Sequence, residues 1–108
     1  MGTATLEVSG PHAAGWAAEL CADLTRNAQP GDSVSPVEVQ RSAELVIAVV
    51  GLVFAGIGTA KTIWDWWCSR RPHGAAVTIL FSDGTRLDLS TVDQAELEVT
   101  FQQAGPQR

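Results

Sequence analysis

Cationic charge is scarce in this 108-residue chain: Lys and Arg number 7 against 12 Asp and Glu, and Lys61 is the single lysine. Nucleic-acid binding takes a basic patch that neutralises phosphates, and a chain with a formal charge of −5 and one lysine carries no such footprint. No nucleic-acid partner is expected. Cysteine is rarer still. Cys21 and Cys68 are the only two, too few for a disulfide scaffold or a structural zinc site. Residues 1–20 lack the basic start and continuous apolar core of a secretory signal, so a reducing cytoplasm is the default expectation. Apolar residues make up 45% of the chain and the mean hydropathy is +0.09. Those values exclude a disordered chain and a multi-span membrane protein. The length supports one domain, residues 1–108.

Catalytic patterns are missing as well. His12 and His73 have no neighbour at metal-ligand spacing. Cys68 lies five residues from His73, but a Cys–His pair needs a third group to orient it, and none stands out. Gly56-Ile57-Gly58-Thr59 lacks the Gly-Lys-Ser/Thr ending of a phosphate loop. The reading is therefore a non-enzyme with no catalytic, cofactor-binding or metal residues.

The elements are more legible. Ala4, Leu6 and Val8 alternate with Thr5 and Glu7, the period of a half-buried strand. Trp16, Leu20 and Leu24 recur every four residues and make one stripe of a helix over about residues 12–27. Pro30-Gly31-Asp32 marks a loop. Ser35-Pro36-Val37-Glu38 reads as a capping box with proline at the first helical position. The helix it would open runs to Arg70-Arg71, before Pro72 and Gly74. The glycines at 51, 56 and 58 weaken its middle, with a kink or break near 56–59. Asp83-Gly84 between two apolar runs predicts a two-residue hairpin turn that sets Leu80 opposite Leu87 and Phe81 opposite Arg86. In that register Leu80, Leu87 and Leu89 share one face, and Val77, Ile79 and Phe81 the other. Asp93-Gln94-Ala95-Glu96 looks like the start of a short last helix, against the strand-like alternation of Ala95, Leu97, Val99 and Phe101.

Residues 45–60 carry no charge. As a helix they reach about 24 Å, short of a hydrocarbon core of about 30 Å. Extension to Trp67 gives the length but adds Lys61 and Asp65. On a helical wheel, Ala48, Gly51, Ala55, Gly58, Thr59 and Thr62 form a narrow small-residue stripe, and large apolar residues fill roughly 200° of the rest. Two readings stay open. In one the helix is covered by protein, its own or a partner's, with Val53, Ile57, Trp64 and Trp67 offered for contact and Val77, Ile79 and Phe81 as a second contact face on the hairpin. In the other, residues 45–67 anchor a single-span or membrane-surface subunit, with Trp64, Trp66 and Trp67 at the interface and Arg70-Arg71 on the cytoplasmic side. The predicted fold is α+β in the order β-α-α-β-β-α. A small sheet of about three strands, the N-terminal strand plus the Asp-Gly hairpin, packs on a long central apolar helix and a shorter N-terminal helix.

Leu6, Trp16, Leu20, Pro30, Gly31, the segment 43–60, Ile63, Trp64, Trp67, Arg70, Arg71, Val77, Ile79, Asp83, Gly84, Leu87 and Leu89 together make a pattern. It resembles the effector-associated constant component family of bacterial conflict systems over most of the chain. The match lies in apolar spacing and turn chemistry. The departure is at 95–101, where that family has a Leu-rich helix. The resemblance implies a small non-enzymatic adaptor or scaffold that acts by protein–protein contact beside a variable effector, such as a caspase-like or trypsin-like peptidase. Oligomerisation is the companion expectation.

Overall fold

The computed structural model describes residues 2–41, 46–54, 58–70 and 75–104. The elements run β1 (Gly2–Ser9), α1 (Ala13–Arg26), β2 (Ser33–Val34), β3 (Glu38–Arg41), β4 (Val46–Phe54), α2 (Gly58–Arg70), β5 (Ala76–Phe81), β6 (Arg86–Asp88) and α3 (Gln94–Ala104). Six strands form one antiparallel sheet in the order β2-β4-β1-β5-β6, and β3 pairs with the same side of β4 as β2 does. β1 is the centre: Leu6 sits between Val50 of β4 and Ile79 of β5, and none of the three is exposed. Since β4 and β5 both run antiparallel to β1, they run parallel to each other, and α2 is the crossover that joins them.

The expected long central helix is overturned. Its middle is β4, the nine-residue neighbour of β1, and only its end, α2, is helical. Val46, Ile47, Val49, Val50 and Val53 are β-branched, and their stiff side chains suit a pleated surface better than a helical turn. Ala48, Val50, Leu52 and Phe54 alternate into the core, which splits the supposed small-residue stripe: Ala48 faces the helices and Gly51 the other side. An unbroken apolar run does not distinguish strand from helix by period alone. The helical expectation comes from the low charge of the sequence between this run and the Trp-rich helix that follows. With β3 and β4 in place of a helix and β2 in the loop before it, the sheet doubles from the three strands expected. The helical anchor around residues 45–67 falls with it. Among the described residues no helix is long and apolar enough to cross a membrane.

The capping box fails for a related reason. Ser35 caps no helix; its Oγ accepts the N–H of Gly51 at 2.7 Å. Pro36 follows without an N–H to give and separates β2 from β3 along the edge of β4. Of the break expected near 56–59, residues 56 and 57 lie outside the described residues, and α2 begins at Gly58.

The hairpin is one residue out of the expected register. Phe81 N–H donates to Thr85 O at 2.8 Å and Gly84 N–H to Phe81 O at 3.0 Å, enclosing a three-residue loop, Ser82-Asp83-Gly84. Gly84 has φ +95°, the left-handed residue that closes such a loop. Ile79 therefore faces Leu87 and Leu80 faces Arg86. A one-residue slip moves every side chain to the other face. Val77, Ile79, Phe81, Leu87 and Leu89 thus share one buried face, and the second apolar hairpin face does not exist.

All three helices cover that same face. α1 buries Ala13, Ala17, Leu20 and Leu24. α2 buries Ala60, Ile63 and Trp66, and α3 buries Leu97 and Phe101. Asp93 starts α3, its Oδ1 accepting the N–H of Glu96 at 2.8 Å. Phe54, Phe81 and Phe101 close a ring triangle with centroids 4.7, 5.1 and 6.2 Å apart, tying α3 to the ends of β4 and β5.

Candidate functional site: the uncovered sheet face

A sheet residue faces the helices or faces away, and the register sorts them. Facing away on β4 are Ile47, Val49, Gly51 and Val53. Across β1 from them stand Ser9, Glu7, Thr5 and Thr3, and beyond lie Thr78 and Leu80 of β5. Arg86 and Asp88 of β6 and Glu38 and Gln40 of β3 complete the rims. No described element packs on this face. Its middle is half-buried. An aliphatic row along β4 beside threonines and flanked by charges is the composition of a contact surface, with an apolar strip and a polar border. A shallow cavity of about 190 Å³ opens at one end, lined by Thr3, Ala4, Thr5, Leu80, Phe81 and Ser82.

The proposed contact residues are divided by the fold. Val53 stands on the uncovered face. Trp64 and Trp67 are half-buried and pack against the core from α2. Trp66, expected at an interface, is the tryptophan the core encloses, with 1% of its surface exposed. Val77, Ile79 and Phe81 lie under the helices, at 0, 0 and 5% exposure, where a second molecule has no access. Ile57 and Arg71 lie outside the described residues. Ile47 and Val49 are the members of the face that a helical reading of residues 46–54 hides, and Leu80 joins them through the one-residue shift of the hairpin. The available signal for Ile47 and Val49 was the β-branched richness of residues 46–53, not a period.

A second concavity, about 300 Å³, lies between α1 and α2 and is lined by Asp23, Asn27, Lys61, Thr62, Asp65, Trp66 and Ser69. Its hydroxyls are committed locally. Ser69 Oγ donates to Asp65 O at 2.7 Å and Thr62 Oγ1 to Gly58 O at 3.2 Å, both within α2. Asp23 pairs with Arg26. No group of three or more His, Cys, Asp or Glu side chains that could hold a metal occurs among the described residues. Cys21 and Cys68 are free, and Cys21 Sγ points its proton at Ser35 O, 3.6 Å away. Asp83 lies in the hairpin loop. Its carboxyl is held below its ordinary value by the Thr85 backbone N–H and then by the Thr85 side chain. That is turn chemistry.

Comparison with protein-family models, with curated proteins and with solved structures finds no match to this chain.

Proposed function

We propose that the chain is a non-catalytic adaptor of a bacterial conflict system, working in the cytoplasm, that holds an effector protein against the uncovered face of its sheet. The observation that carries this is the row Ile47, Val49 and Val53 on β4 with Leu80 of β5 nearby, an aliphatic strip on the one side of the sheet to which none of the three helices contributes a contact. Burial of such a strip by a partner stabilises a complex at about 25 cal/mol per Å² of apolar surface. The hydroxyls of the α1–α2 cleft are tied to their own backbone, which also favours a contact role over chemistry. The resemblance supplies the class of partner, a peptidase or other effector encoded beside the adaptor.

Co-expression with the neighbouring effector tests this. Val49 lies across from Glu7 and Glu38 on its own face, so Val49→Lys keeps the fold and spoils the strip. Wild type is expected to co-purify with the effector, and Val49→Lys and Val53→Glu to lose it. Undiminished capture by both variants overturns the reading.

A further inference from the structure

The two edges of the sheet have complementary hydrogen-bonding phases. Ser35 N–H donates to Gly51 O at 2.9 Å, and Val46 O accepts Gly10 N–H at 3.4 Å. Odd residues of β4 therefore direct their backbone groups towards β2 and β3, and even residues towards β1. Glu38 pairs with Val49 and Gln40 with Ile47, so both spend their backbone groups on β4. Val39 and Arg41 direct theirs outwards. All four residues of β3 are exposed, Val39 by 41%.

At the other edge, Phe81 N–H donates to Thr85 O at 2.8 Å and Leu89 N–H to Val77 O at 3.0 Å. Thr85, Leu87 and Leu89 thus bond inwards to β5, while Arg86 and Asp88 point out. The Asp88 carbonyl is taken by the N–H and hydroxyl of Thr91, each at 3.0 Å, which ends the free edge at the Asp88 N–H.

The antiparallel pairings also fix direction: β3 and β6 run the same way. A second copy displaced along the sheet lays its β6 parallel to β3 with both helix layers on one side. In a parallel ladder an outward residue bonds the two neighbours of the residue opposite it. With Val39 opposite Leu87 of the next copy, Val39 N–H meets the carbonyl of Arg86, and the N–H of Asp88 meets the Val39 carbonyl. These are groups that the two edges leave pointing out. The same register sets Glu38 opposite Arg86 and Gln40 opposite Asp88 on the uncovered face, and Val39 beside Leu87 on the helix side. A shift of two residues would instead set Glu38 against Asp88.

We infer that copies of this chain associate head to tail, β3 of one against β6 of the next, into an open assembly that extends the sheet. Such a joint is heterologous, so each copy added leaves a free β3 edge at one end and a free β6 edge at the other. It is short, and so is weak and concentration-dependent. The assembly joins the rims of the sheet and leaves the aliphatic row of Ile47, Val49 and Val53 free for a different partner.

Weight-average mass by sedimentation, over micromolar to millimolar protein at low salt, is the test. Wild type is expected to grow past two copies and to shrink as salt rises. The Val39 N–H points away from β4 and bonds nothing among the described residues, so Val39→Pro removes an edge donor and spares the β4 ladder. It should keep the wild-type circular dichroism and weaken association at least tenfold. Glu38→Arg and Arg86→Glu should each stay small alone and assemble when mixed, because each supplies the charge the other lacks. A monomer mass for wild type at every concentration overturns the inference. So does a plateau at two copies indifferent to Arg86→Glu, which would mean a two-fold pairing of β3 with itself. A mixture of the charge variants that stays as small as either alone overturns it too.

Discussion

The Ser35 hydroxyl accepts the Gly51 N–H at 2.7 Å while the Ser35 N–H donates to the Gly51 carbonyl at 2.9 Å, so one residue closes both sides of a ladder rung, one of them with its side chain. The Ser35 carbonyl is turned away towards Cys21 Sγ. This is how the edge survives Pro36: the bulge that the proline forces is patched by the serine before it. Ser35→Ala strands the half-buried Gly51 N–H and should cost about 1–3 kcal/mol. A Cβ at Gly51 would stand 3.0 Å from Ser35 Oγ, so Gly51→Ala should destabilise too. The double variant removes the clash along with the bond, and its loss should fall short of the sum of the two singles. Urea midpoints of the four proteins measure this; strict additivity would mean that the two residues do not act as a unit.

The first strand and the first and last helices were legible in the sequence, and the rest was hidden for two reasons. The strand of Ala4, Leu6 and Val8 and the stripe of Trp16, Leu20 and Leu24 occupy faces that their spacing announces. Asp93 opens the last helix with its own carboxylate. Segment 46–54 was opaque because β4 is apolar on both sides of the sheet, with Ile47, Val49 and Val53 where polar residues usually stand. The feature that hid the strand is the feature that makes the face a candidate site. The hairpin misled differently. Asp83-Gly84 suits a two-residue turn and also the second and third positions of a three-residue loop, and only the long-range demand that Val77, Ile79 and Phe81 join the core selects between them.

Asp83 gives that loop a pH dependence. Its Oδ1 accepts the Thr85 N–H at 2.8 Å, and its carboxyl titrates below its ordinary value in the folded chain. A depressed folded-state value contributes stability that is present above the unfolded value, about 3.9, and is lost as pH falls through the folded one. Asp83→Asn keeps an acceptor but not the charge. It should be less stable than wild type near neutrality, and the gap should narrow on acidification below about pH 4. Denaturant midpoints at both ends of that range check the sign; a gap that widens in acid contradicts it.

α3 is held by few anchors, which makes it a sensitive element. Phe101 is 1% exposed and touches the rings of Phe54 and Phe81 at centroid distances of 4.7 and 5.1 Å. Phe101→Ala should cost about 3–5 kcal/mol by cavity formation. Asp93→Ala, which leaves the Glu96 N–H to solvent, should cost about 0.5–2 kcal/mol. Hydrogen exchange resolves the two: loss of Phe101 should expose amides of β4 and β5 along with α3, and loss of Asp93 should affect the first turn of α3 alone.

Val53 and Phe81 were both expected at a contact surface, and the register now sets them on opposite sides of the sheet. Phe81 is 5% exposed and sits in the ring triangle. A carboxylate there is desolvated with no cation among its ring neighbours, a penalty of several kcal/mol, which is comparable to the whole stability of a small domain. Phe81→Glu should therefore fail to fold at neutral pH. Val53 lies between Thr3 and Ser33 on the uncovered face, where a glutamate keeps its charge in water, so Val53→Glu should cost less than about 1 kcal/mol. Thermal melts of the two variants decide it. Equal collapse of both would mean that the face is covered after all, and the docking surface and the adaptor role proposed for it would fall together.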